Sequence, residues 1–187
     1  MKRAALLALM MTLVLLTACG SGQQRRDAFE QWREAFLAEP KHSITAEVTA
    51  IAEESETVFL LHCDCKEDKI SVEVLEPKNI SGVKAYLSEG EGTLVYEGAV
   101  LSLGAGMPEG VSPISALPMF MDFLKNGHTE DVWTETLNGE EALVTELENA
   151  LGGKMTLWQS SSSMQPLFAA VRSGDVTELK IQIQKIE

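Results

Sequence analysis

Basic residues are scarce in this 187-residue sequence, which has 15 Lys and Arg against 28 Asp and Glu and a formal net charge of −13. This acidic excess argues against nucleic-acid partners and against docking on anionic lipid through a basic patch. The three histidines lie in no recognisable nucleophile or metal motif, and no G-x-S-x-G elbow occurs. The glycine-rich segment 104–111 lacks the lysine and the serine or threonine of a phosphate-binding loop. We therefore expect neither an enzyme nor a cofactor site.

The apolar stretch near the start is too short to cross a membrane. Ala4–Leu16 carries no charge and follows Lys2 and Arg3, but it has about thirteen residues, whereas a spanning helix needs roughly twenty. This pattern is typical of a secretory signal peptide. The run Leu16-Thr17-Ala18-Cys19 resembles the lipobox of bacterial prolipoproteins, which implies acylation of Cys19 and cleavage just before it. A signal-anchor helix with a chance cysteine is the alternative.

Cleavage at that position would divide the chain into a signal peptide (1–18), a lipid-anchored tether (19–25) and a single domain (26–187). The mature chain would have 187 − 18 = 169 residues, the size of one ordinary domain. It would lose Lys2 and Arg3 but no acidic residue, so the formal charge would change from −13 to −15. We expect the acyl anchor to hold this domain on the extracytoplasmic face of the cell membrane.

Cys63 and Cys65 are the cysteines that would remain, in the run Leu61-His62-Cys63-Asp64-Cys65. In an extended strand their side chains share a face and their Cα atoms lie near the upper limit for a disulfide, so we expect no bridge between them. Metal binding is a second interpretation, but a structural zinc site usually has four well-spaced ligands and no second ligand cluster occurs in the sequence. We favour two small buried side chains and no metal.

A first helix is predicted over Asp27–Ala38. Asp27 is its candidate N-cap, and an apolar stripe of aromatic residues recurs at helical spacing with charged residues around it. The stripe consists of Phe29, Trp32 and Phe36.

A second helix is predicted to open near Ser112 and Pro113 and to end at Asn126-Gly127, with Pro118 as a kink or an alternative start. The part from Met119 to Leu124 is apolar nearly all round. A helix without a polar face must be covered on most sides, which a curved sheet wrapped around it would achieve.

Most of the remaining sequence shows the alternation or short apolar runs of β-strands, bounded by turn residues, and we count about ten strands among eleven candidate segments. Thr57–Cys65 is apolar on both faces, so we expect it in the middle of the sheet and covered on both sides. The strand segments are Ser43–Ala50, Thr57–Cys65, Ile70–Val74, Val83–Leu87, Thr93–Tyr96, Ala99–Leu103, Asp131–Leu137, Glu141–Leu147, Lys154–Gln159, Leu167–Arg172 and Val176–Ile186.

This order of elements resembles the LolA-like family of lipoprotein carriers and receptors. Glu76-Pro77, Ile80–Val83, Gly92–Gly98 and Met164–Leu167 are most similar to lipoproteins of spore-forming clostridia, including germination-associated lipoproteins. The resemblance covers most of residues 25–187. It implies a mainly β fold with helices (α+β), in which a curved antiparallel sheet of about ten strands forms a half-barrel closed by the N-terminal helix and the central apolar helix.

The same resemblance implies a binding function, in one of two forms. The half-barrel could take up an acyl chain or another apolar ligand, or it could be filled and serve as an adaptor for an extracytoplasmic protein, such as a cell-wall enzyme. A small surface lipoprotein with a purely structural role is a third alternative. We favour the filled core and the adaptor. The residues expected to line a ligand cavity or to plug the core are Leu117, Met119, Phe120, Met121, Phe123 and Leu124.

The lipid anchor can be tested at Cys19. We expect Cys19→Ala to release the protein from membranes and to abolish labelling by a fatty-acid probe, because each buried CH₂ of the acyl chain contributes about 0.8 kcal/mol and no basic patch replaces it. Membrane fractionation with probe labelling measures both effects. An unlabelled wild-type protein that remains in the membrane would contradict the assignment.

Overall fold

A computed structural model describes residues 20–52, 55–66, 69–88, 91–105, 112–174 and 176–187. The predicted signal peptide and Cys19 lie outside the described residues, so the lipidation site stays a prediction. Within these ranges, neither helix combines the length and the apolar character needed to cross a membrane.

The described chain forms one open antiparallel sheet of eleven strands with two helices. Helix α1 spans Gly20–Leu37, and a 3₁₀ turn at Pro113–Ser115 leads into helix α2, Ala116–Asn126. The strands are β1 (Lys41–Ala52), β2 (Ser55–Lys66), β3 (Lys69–Glu76), β4 (Lys84–Ser88), β5 (Glu91–Tyr96), β6 (Ala99–Ala105), β7 (His128–Leu137), β8 (Glu140–Glu148), β9 (Gly153–Ser160), β10 (Pro166–Ser173) and β11 (Val176–Ile186).

The sheet order is β6-β5-β4-β3-β2-β1-β11-β10-β9-β8-β7, which leaves β6 and β7 as the two edge strands. Every neighbouring pair except β1 and β11 follows in sequence, so nearly all of the sheet is a meander of local hairpins. The pairing of β1 with β11, in which Val48 lies opposite Ile181, joins the first six strands to the last five. The predicted mainly β fold, an antiparallel sheet with an N-terminal and a central helix, is confirmed, and each of the eleven predicted segments forms one strand.

The inner face of the sheet carries the core, because alternate residues of the central strands point to the same side. In β1 these are Ile44, Ala46 and Val48, all fully buried. Helix α1 packs near β7, helix α2 packs near β8, and the 3₁₀ turn reaches β1 and β3. The two helices therefore cover the concave side of the half-barrel.

Strand β2 corrects one expectation about this sheet. Thr57–Cys65 lies in the interior of the strand order as predicted, but it is not covered on both sides, since Val58 is 49% exposed. Only Leu61, Cys63 and Cys65 are buried in this strand. The helices cover one face only, as is common for antiparallel sheets, and the apolar residues of the other face remain at the surface.

The start of α1 corrects a second expectation. The helix spans Gly20–Leu37 rather than beginning at Asp27, so residues 20–25 of the predicted tether are helical. Asp27 accepts a hydrogen bond from Gln23 Nε2 (2.7 Å) within the helix instead of capping it. Gln and Arg are good helix formers, and they extend the helix without any apolar periodicity to signal it. The extension is also held by tertiary contacts, because the Arg26 guanidinium donates to the carbonyl oxygens of Thr129 and Glu130, each at 2.7 Å.

Pro118 neither kinks nor starts the second helix. It lies in the first turn of α2, where a backbone N–H has no partner in the helix, so the proline ring is tolerated. The preceding 3₁₀ turn is closed by Ser115, whose hydroxyl donates to the Ser112 carbonyl at 2.6 Å.

Gly127 allows a test of how tightly α2 is joined to β7. A Cβ atom at this position would lie 2.5 Å from the backbone oxygen of Phe123, whereas a Cβ at Gly22 in α1 would meet nothing within 4 Å. We expect Gly127→Ala to lower the free energy of unfolding by about 1–3 kcal/mol through overpacking. Gly22→Ala should leave it unchanged or raise it by up to about 1 kcal/mol, because alanine favours helix. Urea unfolding of both variants measures the difference, and equal midpoints would contradict the prediction.

Candidate functional site

The predicted plug residues come together on the inner face of the sheet. Leu117, Phe120 and Leu124 are fully buried and Phe123 is 1% exposed, and all four belong to the same apolar cluster as the inward residues of β1 and β11. Their spacing of three and four residues places them along one side of α2. The side chains therefore occupy the centre of the half-barrel.

The two methionines of α2 lie at the margin of this cluster. Met119 and Met121 are only partly buried, and the Ser115 hydroxyl contacts the Met119 sulfur at 3.6 Å. Met121 borders an open cavity of about 270 Å³ beside β1 and β2. Of the six residues predicted from the sequence, four are core residues and two reach the boundary between core and solvent.

Other cavities of similar size lie around the ends of the helices. One, of about 360 Å³, lies between the beginning of α1 and β7–β8 and includes Arg25 and Glu141. Another, of about 330 Å³, lies between α1 and the β10–β11 pair and is lined by Trp32, Phe36 and Ile183, among others. Leu117, Phe120, Phe123 and Leu124 line none of these three cavities. The interior that α2 occupies is thus distinct from the open hollows at the rim.

The aromatic stripe of α1 is a continuous stack. Ring centroids are 5.9 Å apart for Phe29 and Trp32, 5.2 Å for Trp32 and Phe36, and 4.0 Å for Phe36 and His42 of β1. Phe29 is fully buried, whereas Trp32 and Phe36 are partly exposed at the 330 Å³ groove. The stripe therefore contributes to the core at one end and to a surface groove at the other.

The two edges of the sheet differ. Arg26 and Arg33 of α1 bond backbone carbonyls around the start of β7, the latter through Gly127 at 3.0 Å, so that edge is partly occupied. At the opposite edge, Val100 and Leu101 of β6 are 69% and 60% exposed, and no described strand pairs with the outer side of β6. Leu101 lies opposite Leu94, which lies opposite the buried Ala85, so Leu101 belongs to the inner face and Val100 to the outer one.

A group of aromatic residues on the outer face could not be identified from the sequence. The indole nitrogens of Trp133 and Trp158 donate to the two carboxylate oxygens of Glu135 at 2.7 and 2.9 Å, and these bonds lower the pKa of Glu135. Both tryptophans flank Val144 of β8, which is fully buried although it lies on the outer face. The pattern of each strand alone gives no signal of this arrangement, because three separate strands supply it.

Comparison with known proteins shows a shared fold. No protein-family model matches the chain, and no curated protein matches it. A LolA-superfamily protein from Nitrosomonas europaea superposes with a TM-score of 0.50 at 12% identity, covering 87% of this chain and 92% of that one. A DUF1329 family protein from Desulfovibrio piger superposes with a TM-score of 0.51 at 9% identity, with 88% and 92% covered.

The GerS lipoprotein of Clostridioides difficile, solved in complex with the CwlD amidase, superposes less well, with a TM-score of 0.46 at 17% identity and coverage of 87% and 94%. The first two comparisons place the chain among proteins with a LolA-like half-barrel fold, as predicted. At such identities they show the fold alone, because one fold can serve many different functions.

The role of α2 in the core can be tested by truncation. We expect Phe120→Ala or Phe123→Ala to lower the free energy of unfolding by about 3–5 kcal/mol, because each removes a large side chain from a filled interior. Tyr86→Ala, at an exposed aromatic residue of β4, is the matched control and should change it by less than about 0.5 kcal/mol. Thermal unfolding measures the three variants. Near wild-type midpoints for both phenylalanine variants, together with altered binding of an apolar fluorophore, would instead indicate a ligand cavity.

Proposed function

We propose that this protein is a lipid-anchored extracytoplasmic adaptor, not an enzyme, which binds a protein partner along the β6 edge of its sheet. The observation that carries the proposal is the contrast between the filled interior and the exposed edge. The same fold could serve as a carrier only if the space inside the half-barrel were available to a ligand.

The filled interior argues against an acyl-chain carrier. The side chains of Leu117, Phe120, Phe123 and Leu124 are buried against the inner face of the sheet. Ligand sites usually measure about 300–1,000 Å³ and enclose most of the ligand surface, whereas the described cavities of about 270–360 Å³ are open hollows at the rim. A ligand in the centre would have to displace α2.

The β6 edge supplies what a protein partner needs. An unpaired strand offers a row of backbone N–H and C=O groups, and an extended segment of a partner can add to it as a further strand. The exposed side chains of Val100 and Leu101 point to opposite faces and would give such a segment apolar contacts on both sides. The net charge of the chain, −13, favours a basic partner segment.

One observation favours a second candidate function. The 330 Å³ groove between α1 and the β10–β11 pair is lined by the exposed parts of Trp32 and Phe36 and by Ile183, and an apolar chain could lie there without displacing α2. This groove would suit a carrier or receptor that holds a single acyl chain at the surface of the half-barrel.

The finer assignment of the partner comes from the resemblance of the sequence to germination-associated lipoproteins. That resemblance implies a cell-wall enzyme as the partner and a role in the cell envelope or in spore germination. This assignment rests on analogy with those lipoproteins, and cross-linking at the β6 edge does not depend on it.

Site-specific photo-cross-linking in cells tests the adaptor proposal. A photo-reactive phenylalanine analogue is placed at Val100 or Leu101 and, as a matched control, at Val176 of β11, which is 62% exposed. We expect a discrete heavier adduct from both β6 positions and none from Val176. Val100→Asp combined with the analogue at Leu101 should reduce that adduct at least tenfold, because it buries a charge in the contact, whereas Val176→Asp should have no effect.

Three results would contradict the proposal. An adduct with twice the mass of the chain would indicate self-association through β6, and equal adducts from all three positions would indicate non-specific contact. Native mass spectrometry of the purified protein that shows retained lipid, lost in Trp32→Ala, would favour the carrier.

A further inference from the structure

The outer face of the sheet carries a row of aromatic residues near its β7 edge. Trp133 of β7, Val144 of β8 and Trp158 of β9 lie directly opposite one another on neighbouring strands, and Phe168 of β10 lies opposite Trp158. The ring centroids of Trp158 and Phe168 are 5.3 Å apart, with 56° between the ring planes. Because neighbouring strands are about 4.8 Å apart, the row spans roughly 14 Å of the sheet surface.

The hydrogen bonds of Glu135 show how the indole rings are oriented. Glu135 belongs to β7, two strands away from Trp158, and its carboxylate nevertheless accepts a hydrogen bond from the Trp158 indole nitrogen at 2.9 Å. The Trp158 side chain must therefore extend across β8 instead of projecting away from the sheet. Val144 and Ala142 of β8 lie beneath this contact and are 0% and 1% exposed, although neither belongs to the core cluster of the inner face. The aromatic rings thus cover this part of the outer face.

These rings remain partly open to solvent. Trp133, Trp158 and Phe168 are half-buried, whereas Glu135 and Gln182, which lies opposite Phe168, are exposed. Both described helices pack on the inner face, so neither of them covers the row. We refer to Trp133, Glu135, Trp158 and Phe168 as the outer aromatic surface. A group of exposed rings bordered by polar residues has the character of a binding site.

Glu135 gives this surface a negative charge without a cationic partner. Its carboxylate accepts the indole N–H groups of both tryptophans, and none of the ion pairs among the described residues includes it. By contrast, Glu146 on the same face binds both Lys154 and Arg172. A carboxylate can accept about four hydrogen bonds, so about two acceptor positions of Glu135 are left for a ligand. The surface therefore suits a neutral ligand that donates hydrogen bonds, and it disfavours an anionic one.

We propose that the outer aromatic surface binds an uncharged, β-linked polysaccharide. A pyranose ring has C–H groups on its two faces and hydroxyl groups around its rim. Its faces can stack on the indole rings, while a hydroxyl group of the rim donates a charge-assisted hydrogen bond to the Glu135 carboxylate. Chains of β-linked rings form a straight, flat ribbon, and an open row of aromatic rings on a sheet matches such a ribbon better than a closed pocket would.

Two other occupants fit this surface less well. An anionic membrane would be repelled by the Glu135 carboxylate and by the net charge of the chain, −13, and insertion into the bilayer would remove that carboxylate from water. A protein partner would bury the same charge and would need its own cation against it. Sugar hydroxyl groups supply hydrogen-bond donors without a charge, and they leave the outer rim of the sugar in water.

Retention on polysaccharides tests the proposal with the full chain, purified in a zwitterionic detergent because sugar-based detergents would compete for the surface. The protein is sedimented with insoluble chitin and with cellulose, which are both β-linked and uncharged. Amylose resin, an α-linked polysaccharide whose chain coils, is the matched control. We expect retention on at least one of the β-linked polymers and none on amylose. Titration with soluble oligosaccharides of the retaining polymer then gives the affinity.

Substitutions locate the binding on the outer aromatic surface. Trp133→Ala and Trp158→Ala should each weaken oligosaccharide binding at least about tenfold, because each removes one of the stacked rings. Glu135→Ala removes an exposed side chain and should also weaken binding about tenfold, the value of a hydrogen bond to a charged group. It provides the test if circular dichroism shows that Trp158→Ala has unfolded.

Trp32→Ala is the matched control for the two tryptophan variants. It removes the same side chain from the groove between α1 and the β10–β11 pair, so we expect oligosaccharide binding to equal that of the wild-type protein. The sequence has three tryptophans, so Trp133 and Trp158 are the only ones left in this variant. Its fluorescence emission should therefore still change when the oligosaccharide binds.

Several results would overturn the proposal. Retention on neither β-linked polymer, equal retention on amylose, or undiminished binding by a folded Trp133→Ala, Trp158→Ala or Glu135→Ala variant would each do so. An emission change with phospholipid vesicles but with no polysaccharide would indicate a membrane instead, and a dimer that dissociates in Trp133→Ala would indicate a second copy of the chain. The outer aromatic surface and β6 lie toward opposite ends of the strand order, so these results do not bear on the cross-linking experiment.

Discussion

The burial of one side of α2 against the sheet is the interaction on which the rest of the structure depends. An eleven-stranded antiparallel sheet with an apolar inner face is unstable in water unless that face is covered. Leu117, Phe120, Phe123 and Leu124 cover it from within, and α1 adds Phe29 beside them. Fully burying such a side chain contributes about 1.5–3 kcal/mol. The same packing that stabilises the fold fills the centre of the half-barrel with side chains of α2.

The helices also make the two sheet edges different from each other. Helix α1 is bonded to the start of β7 through Arg26 and Arg33, and Thr129 of β7 in turn donates to the Glu30 carboxylate at 2.6 Å. Edge strands are sites of unwanted association unless they are covered or interrupted. One edge of this sheet is partly occupied in that way, whereas Val100 and Leu101 at the other edge are 69% and 60% exposed.

Local patterns predicted most of this fold. Alternation in segments such as Ile70–Val74 and Val176–Ile186 specifies strands because the strand period of two is a property of the backbone itself. The apolar segment Met119–Leu124 predicted a buried helix because a helix without a polar face must be covered. The predicted start of α1 was wrong because the first turns of the helix are held by Arg26, which donates to carbonyl oxygens about a hundred residues away in the sequence. Such a contact leaves no local pattern in the sequence. The prediction that β2 is covered on both sides was wrong, because the sequence of an apolar outward face does not depend on whether another layer covers it.

The candidate sites were harder to predict than the fold, and for a physical reason. Glu135 accepts hydrogen bonds from Trp133 and Trp158. These side chains come from two strands that are brought together only in the folded sheet. His42 lies opposite Cys65 because of the β1–β2 register, although the two residues belong to different strands and are not neighbours in the sequence. Side-chain constellations of this kind depend on register, and a shift of one residue would move every partner to the other face.

If Cys19 is acylated as predicted, the early start of α1 would limit how far the domain can move from the lipid anchor. A flexible segment between Gly20 and Arg26 could extend to roughly 20 Å, but the helix rises only about 1.5 Å per residue, or ~9 Å over the same segment. With Cys19 as the predicted point of acylation, the short helical segment before Arg26 would hold the β7 end of the sheet close to the membrane. A partner would then have to approach within one domain's breadth of the lipid surface, and soluble proteins that stay farther away would be out of reach.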